Sequence, residues 1–240
     1  MPDAPWRRIA GFRVVVAWPQ TGYAPPPTTL AGLRARVAGI AGVLLIVAGT
    51  AAVGVAVGSQ VHAPQPLRSQ AGVTGGSSRG PTLARSLPVS VRIPAIGVDS
   101  KLLHLGLNAD GTMQVPSIRT SAGEAAWYKY SATPGQIGAS IIVGHVDSVT
   151  GPAVFFRLGA LRPGNRVDVT LADGVTAIFR VIGVREYLKS RFPAKTIYRA
   201  THFASLHLIT CGGAFDYTTR NYLSSIVVFA ALASSRPAGI

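Results

Sequence analysis

Twenty-two consecutive residues, 37–58 (VAGIAGVLLIVAGTAAVGVAVG), carry no charge, and this run limits the fold more than any other feature. A helix needs about 20 apolar residues to cross a bilayer. Gly39, Gly42, Gly49, Gly54 and Gly58 would weaken a helix in water, but glycine is common in spans. A helix buried in a globular core is the competing reading, and the length and lack of a polar face argue against it. A cleaved secretory signal competes more closely, because Val61-His62-Ala63 loosely fits a cleavage site. A signal core, however, runs about 7–15 residues after a short basic start, and here 36 residues precede the run. The run therefore reads as an uncleaved anchor. Arg34 and Arg36 abut its start, and the next positive charge after it is Arg68. The positive-inside rule puts the N-terminus in the cytoplasm and everything after residue 58 outside the cell membrane.

Around this single transmembrane helix the chain divides. Residues 1–36, with PPPTT at 25–29, read as a disordered cytoplasmic tail. Residues 59–85 contain HAPQPLRSQAGVTGGSSRGP, whose Pro, Gly, Ser and Gln content marks a flexible extracellular tether. Residues 86–233 read as a β domain, and 234–240 as a short tail. In LPVSVRI (87–93), alternation sets Val89, Val91 and Ile93 on one face. KLLHLGL (101–107) and TMQVP (112–116) flank the turn Asn-Ala-Asp-Gly, and RVDVTL (166–171) and VTAIFRVIGV (175–184) flank Ala-Asp-Gly. SIIVGH (140–145), LHLIT (206–210) and SIVVFAAL (225–232) complete the set, and FFRLGAL (155–161) suits a helical turn. Seven or eight short strands without a long amphipathic helix make an all-β sandwich or barrel.

Composition narrows the function. The formal charge of +14 is spread as +4 over residues 1–36, +3 over 59–85, +6 over 86–235 and +1 beyond. With no basic run interleaved with aromatics, nucleic acid is not an expected partner. A mildly basic surface suits an anionic membrane or wall. One cysteine permits no internal disulfide and no cysteine cluster for zinc. Asp99, Asp110 and Asp147 are too scattered for a calcium loop, so neither a metal nor another cofactor is implied.

That cysteine, Cys211, closes the run HLIT and opens onto two glycines. A catalytic thiol needs a partner to take its proton, since the thiolate is the nucleophile. His207 shares its strand face, but four residues of strand span about 13 Å, too far for proton transfer. His62 lies in the tether, His104 within an apolar strand, and His202 ahead of the Cys strand. His145 ends SIIVG and enters the loop Val-Asp-Ser, where a rigid strand presents a side chain to a site. A histidine at a strand end and a cysteine before Gly-Gly are each more often structural, and the pair gains weight because both precede loop-forming residues. Acylation of a thiolate also needs donors where the oxyanion forms. The two glycines free backbone N–H groups for this, and Arg220 lies nine residues on, in DYTTRNY. On spacing alone Arg220 reads as a solvated surface charge.

LITCGG (208–213) resembles the sortase signature, in which a strand ends at the nucleophile, with His207 where that pattern usually has Thr. GHVDSVTGPAVFFRLGAL (144–161) and CGGAFD (211–216) resemble the corresponding segments of actinobacterial class F sortases. The resemblance covers roughly residues 87–233. It implies an eight-stranded closed β-barrel and an extracellular cysteine transpeptidase. In that family Cys211 would attack the Thr–Gly carbonyl of an LPxTG-like sorting signal on a secreted protein. An amine of a cell-wall precursor would resolve the thioacyl enzyme. The resemblance makes His145 the general acid and base and Arg220 the stabiliser of substrate and oxyanion, with Thr210 supporting. WPQTG (18–22) has the shape of a sorting signal but falls on the expected cytoplasmic side, and reads as chance. Two alternatives stay open: an anchored β-barrel that binds wall peptides without turnover, and a hydrolytic cysteine peptidase.

Overall fold

The computed structural model describes residues 62–67 and 80–237. The expected cytoplasmic tail and the run 37–58 lie outside the described residues. Among the described residues no helix is long and apolar enough to cross a membrane.

The described residues form ten strands, in chain order β1 (Pro88–Ile93), β2 (Val98–Leu105), β3 (Ala125–Tyr128), β4 (Gly138–Val143), β5 (Asp147–Ser148), β6 (Gly151–Pro152), β7 (Arg166–Leu171), β8 (Thr176–Leu188), β9 (Ala204–Asp216) and β10 (Asn221–Arg236). Eight of them close into a barrel in the order β1-β2-β3-β4-β9-β10-β8-β7, while β5 and β6 form a small separate ribbon. Most neighbours are antiparallel. The exceptions are β2 with β3 and β4 with β9, both parallel. Among the described residues, one helix, α1 (Ala194–Tyr198), and short 3-10 turns accompany the strands.

Two apolar layers explain the sequence pattern. The barrel interior is filled by Val91, Ile93, Val167, Val169, Phe179, Leu206, Leu208, Ile226 and Val228, among others. Outside the barrel wall, Ile141 and Val143 of β4, Ile209 of β9 and Val227 and Phe229 of β10 form a second layer with Met113 and with Ile197 of α1. Strands β4 and most of β9 are therefore buried on both faces, so they read as continuous apolar runs rather than as alternation. Each large apolar side chain withdrawn from water in these layers contributes about 1.5–3 kcal/mol.

Strand β7 matches its expected bounds, and the Ala172-Asp173-Gly174 hairpin forms, with Asp173 Oδ1 accepting the Val175 N–H at 3.0 Å. The expected helical turn in 155–161 is the 3-10 turn Leu158–Ala160. Three local expectations need correction. Val89 is 48% exposed rather than sharing the buried face of Val91 and Ile93, because the register with β7 shifts between Pro88 and Ser90. Residues 112–116 are not a strand: their turn forms, with a single bridge, Leu107 to Met113. The partner of β2 is instead the four-residue β3, buried throughout, which offered no alternation to read. Cys211 does not end its strand either, since β9 continues to Asp216 and pairs Phe215 with Tyr222 of β10.

Candidate active site

The parallel pair β4 and β9 sets the site. Their last paired rung joins Val143 to Ile209, and the Gly144 N–H donates to the Ile209 carbonyl at 3.1 Å. His145 and Cys211 each lie two residues beyond that rung. Because strand side chains alternate, both continue the outer face of Ile141, Val143 and Ile209. Neighbouring strands run about 4.8 Å apart, so this register brings positions 145 and 211 to the same end of the pair although 66 positions of sequence part them.

His145 is 4% exposed. Its Nε2–H donates to the Pro116 carbonyl at 2.7 Å, so in the neutral ring Nδ1 carries no proton. The segment that failed to form a strand thus holds the ring. Burial lowers the affinity of His145 for a proton, while the Pro116 hydrogen bond and the Asp147 charge raise it. Asp147, in β5, also accepts a short hydrogen bond from the Tyr222 hydroxyl. That bond, after burial, pushes the phenol well above its usual value.

Cys211 is 5% exposed and packs with Val146 and Ala63, beside Phe156 and Tyr222. Burial pushes its thiol up to about 12; the Lys189 ammonium opposes this through its charge and a hydrogen bond to the sulfur, and Asp147 adds to the rise. Lys189 opens the 3-10 turn Lys189–Arg191 after β8, and its Nζ also donates to Asn221 Oδ1 at 2.6 Å.

Residues 63–65, read from sequence as tether, cross the thiol. Ala63 touches the Cys211 cluster, and Gln65 Oε1 accepts the Gly213 N–H at 2.9 Å. Gln65 Nε2 turns back to the Ala63 carbonyl at 2.9 Å, and the Pro64 carbonyl lies 2.1 Å from where a Cβ at Gly159 would stand. Gly213 takes φ +74°, and a side chain there would meet Glu186 Oε1 and Ser224 Oγ at 2.6 Å. The second glycine after the cysteine is therefore required by the backbone, and it turns an N–H toward the covering segment.

The other sequence candidates fall elsewhere. Thr210 points into the barrel, on the face opposite the thiol, and its buried hydroxyl has no hydrogen-bond partner. Arg220 is exposed on the β9–β10 turn at φ +50°. Its turn is fixed by Asp216, which accepts the Thr218 N–H at 2.8 Å and the Thr219 hydroxyl at 2.8 Å. Five residues of β9, with a register shift opposite Tyr222 and Ser224, part Cys211 from that turn. Lys189, Asp147 and Tyr222 were missed by sequence reasoning. Only the register shows them: Tyr187 of β8, Ser225 of β10 and Cys211 of β9 share one rung, and Lys189 follows two residues later. Among the described residues no group of three His, Cys, Asp or Glu side chains is placed to hold a metal.

A buried thiol and an imidazole each two residues past one shared rung, with a lysine whose charge acts on the sulfur, are the parts of a nucleophilic cysteine site. Several solved structures are similar to this chain. Among solved structures, sortase A of Listeria monocytogenes aligns at a TM-score of 0.49 and 15% identity, over 65% of this chain and 92% of that one. Sortase C1 of Streptococcus agalactiae aligns at 0.48 and 17%, over 61% and 67%. Sortase C of Streptococcus pneumoniae aligns at 0.48 and 16%, over 66% and 74%. No curated relative matches the chain. The sortase domain family model matches residues 91–233, which spans the barrel from β1 into β10. The chain belongs to the sortase family of cysteine transpeptidases.

Proposed function

We propose that this chain is a membrane-anchored sortase of class F type, held by residues 37–58 with its barrel outside the cell. It cleaves an LPxTG-like sorting signal between Thr and Gly and transfers the acyl part to a cell-wall amine. Cys211 Sγ gives its proton to His145 Nδ1 and attacks the Thr carbonyl carbon. The tetrahedral intermediate collapses as the C–N bond breaks, and the departing amine takes the proton from His145. A thioacyl enzyme remains. The incoming amine then loses a proton to His145 as it displaces the sulfur. Backbone N–H groups of the Gly212-Gly213 segment receive the oxyanion, and Arg220 engages the substrate from the hairpin turn.

The observation that carries this reading is the shared face and matched position of His145 and Cys211, each two residues past the Val143–Ile209 rung. The full-length chain in detergent, given an LPxTG-like peptide and a small amine, should yield the amine-capped peptide and a covalent adduct on Cys211 by intact-mass spectrometry. Cleavage to the free acid alone, unchanged by amine, would make the protein a hydrolytic peptidase. The covered, protonated thiol favours one other reading, a peptide-binding barrel without turnover. Peptide binding with neither adduct nor cleavage would establish it.

A further inference from the structure

The barrel places two cations near the β9–β10 hairpin, and they occupy different settings. Arg220 stands exposed on the turn. Lys189 is half-buried and tethered, its Nζ donating to Asn221 Oδ1 at 2.6 Å. Asn221 is the first residue of β10 and pairs with Asp216 of β9, so the tether anchors the ammonium to the hairpin that carries the thiol. The rung Tyr187–Ser225–Cys211 sets the end of β8 level with the sulfur, and Lys189 follows two residues later, with its charge acting on the thiol. The other titratable groups facing this spot are Asp147 of β5 and Tyr222 of β10, with Glu186 of β8 beside Gly213, and His145 follows β4 beside Asp147. Ionising a buried sulfur among these needs one nearby fixed positive charge, because Asp147 works against it.

We infer that Lys189 is a catalytic residue, whose ammonium stands against Cys211 Sγ and balances the negative charge formed when that sulfur yields its proton to His145. Asn221 is its positioning residue. A compact ammonium with three donors can bond sulfur and amide oxygen together. This inference rests on the reading of Cys211 as nucleophile, and it assigns Arg220 no part in ionising the thiol.

The test uses the single cysteine as its own reporter. The rate of iodoacetamide alkylation of the full-length chain is measured against pH by intact mass, for the wild type and for Lys189→Gln, Lys189→Arg, Asn221→Ala and Arg220→Gln. Lys189→Gln should alkylate about tenfold more slowly at pH 7.5, with its profile moved up by about one pH unit. Lys189→Arg should recover most of the rate, Asn221→Ala should fall between, and Arg220→Gln should follow the wild type. Thermal melting shows that each variant is folded. A wild-type profile in Lys189→Gln, or the same shift in Arg220→Gln, overturns the inference. Alkylation needs no sorting signal, so a wild-type chain that cleaves no peptide counts against the transpeptidase reading while the lysine is still judged by its own profile.

Discussion

His145 and His207 project from neighbouring strands on the same outer face, yet they occupy different worlds. His207 lies midway along β9, level with Ile141 of β4 and Phe229 of β10. Its Nδ1–H donates to the Ile197 carbonyl at 2.8 Å, and its ring meets Phe229 edge to face at 4.8 Å. Burial there drives its pKa down to about 4, against the pull of the Ile197 hydrogen bond. His145 lies past the last rung of β4, where a carboxylate, a tyrosine and the thiol converge. Its burial is opposed by a nearby negative charge, so it keeps more of its ordinary basicity. One histidine is a neutral strut that fastens α1 to the wall, and the other is the one we propose exchanges protons with the thiol. Position along the strand, not residue type or face, separates them.

The sharpest break of this comparison comes from the thiol itself. Cys211→Ala should remove the peptide adduct and all turnover above background, because no second thiol exists in the chain. His145→Gln should follow with a loss of about 10²–10⁴ in kcat/KM, whereas His207→Gln should leave kcat/KM of the folded protein within a few-fold of wild type. If both histidine variants lose activity equally, the distinction between strut and proton carrier fails.

Stability sharpens the contrast in the other direction. A histidine with a depressed pKa stays neutral in the fold while the unfolded chain takes up a proton. Stability is therefore full above about pH 6.5 and is lost as pH falls toward 4. For His207 the loss approaches about 3 kcal/mol. Melting temperature should fall across this window, and His207→Phe should flatten the fall. The smallest effect is expected at Tyr222→Phe, which frees Asp147 from its hydroxyl donor. It should change kcat/KM only a few-fold and move the acidic limb of the pH–rate profile upward, since an unpaired carboxylate raises His145 further.

These differences mark how far the sequence could be read. β7 and its hairpin were legible because Val167, Val169 and Leu171 alternate and Ala172-Asp173-Gly174 punctuates. β3 was not, because Ala125–Tyr128 is buried on both faces and only four residues long. His145 and Cys211 were legible as types and contexts, but their meeting depends on the parallel pairing of β4 with β9, a contact that local pattern does not encode. Lys189 was hidden for a similar reason. It lies in a basic, aromatic stretch and acquires meaning only from a three-strand rung that brings it beside the sulfur.

The segment from Ala63 to Gln65 has a consequence for kinetics. On the proposed reading, a peptide that reaches Sγ displaces Ala63 and takes over the Gly213 N–H now held by Gln65. One hydrogen bond and a small apolar contact together hold about 1–2 kcal/mol. The open population is thereby thinned by about five- to thirty-fold. An apparent Michaelis constant measured on the whole chain therefore contains an internal competition, and a fragment cut after residue 79 measures the same barrel with its competitor removed.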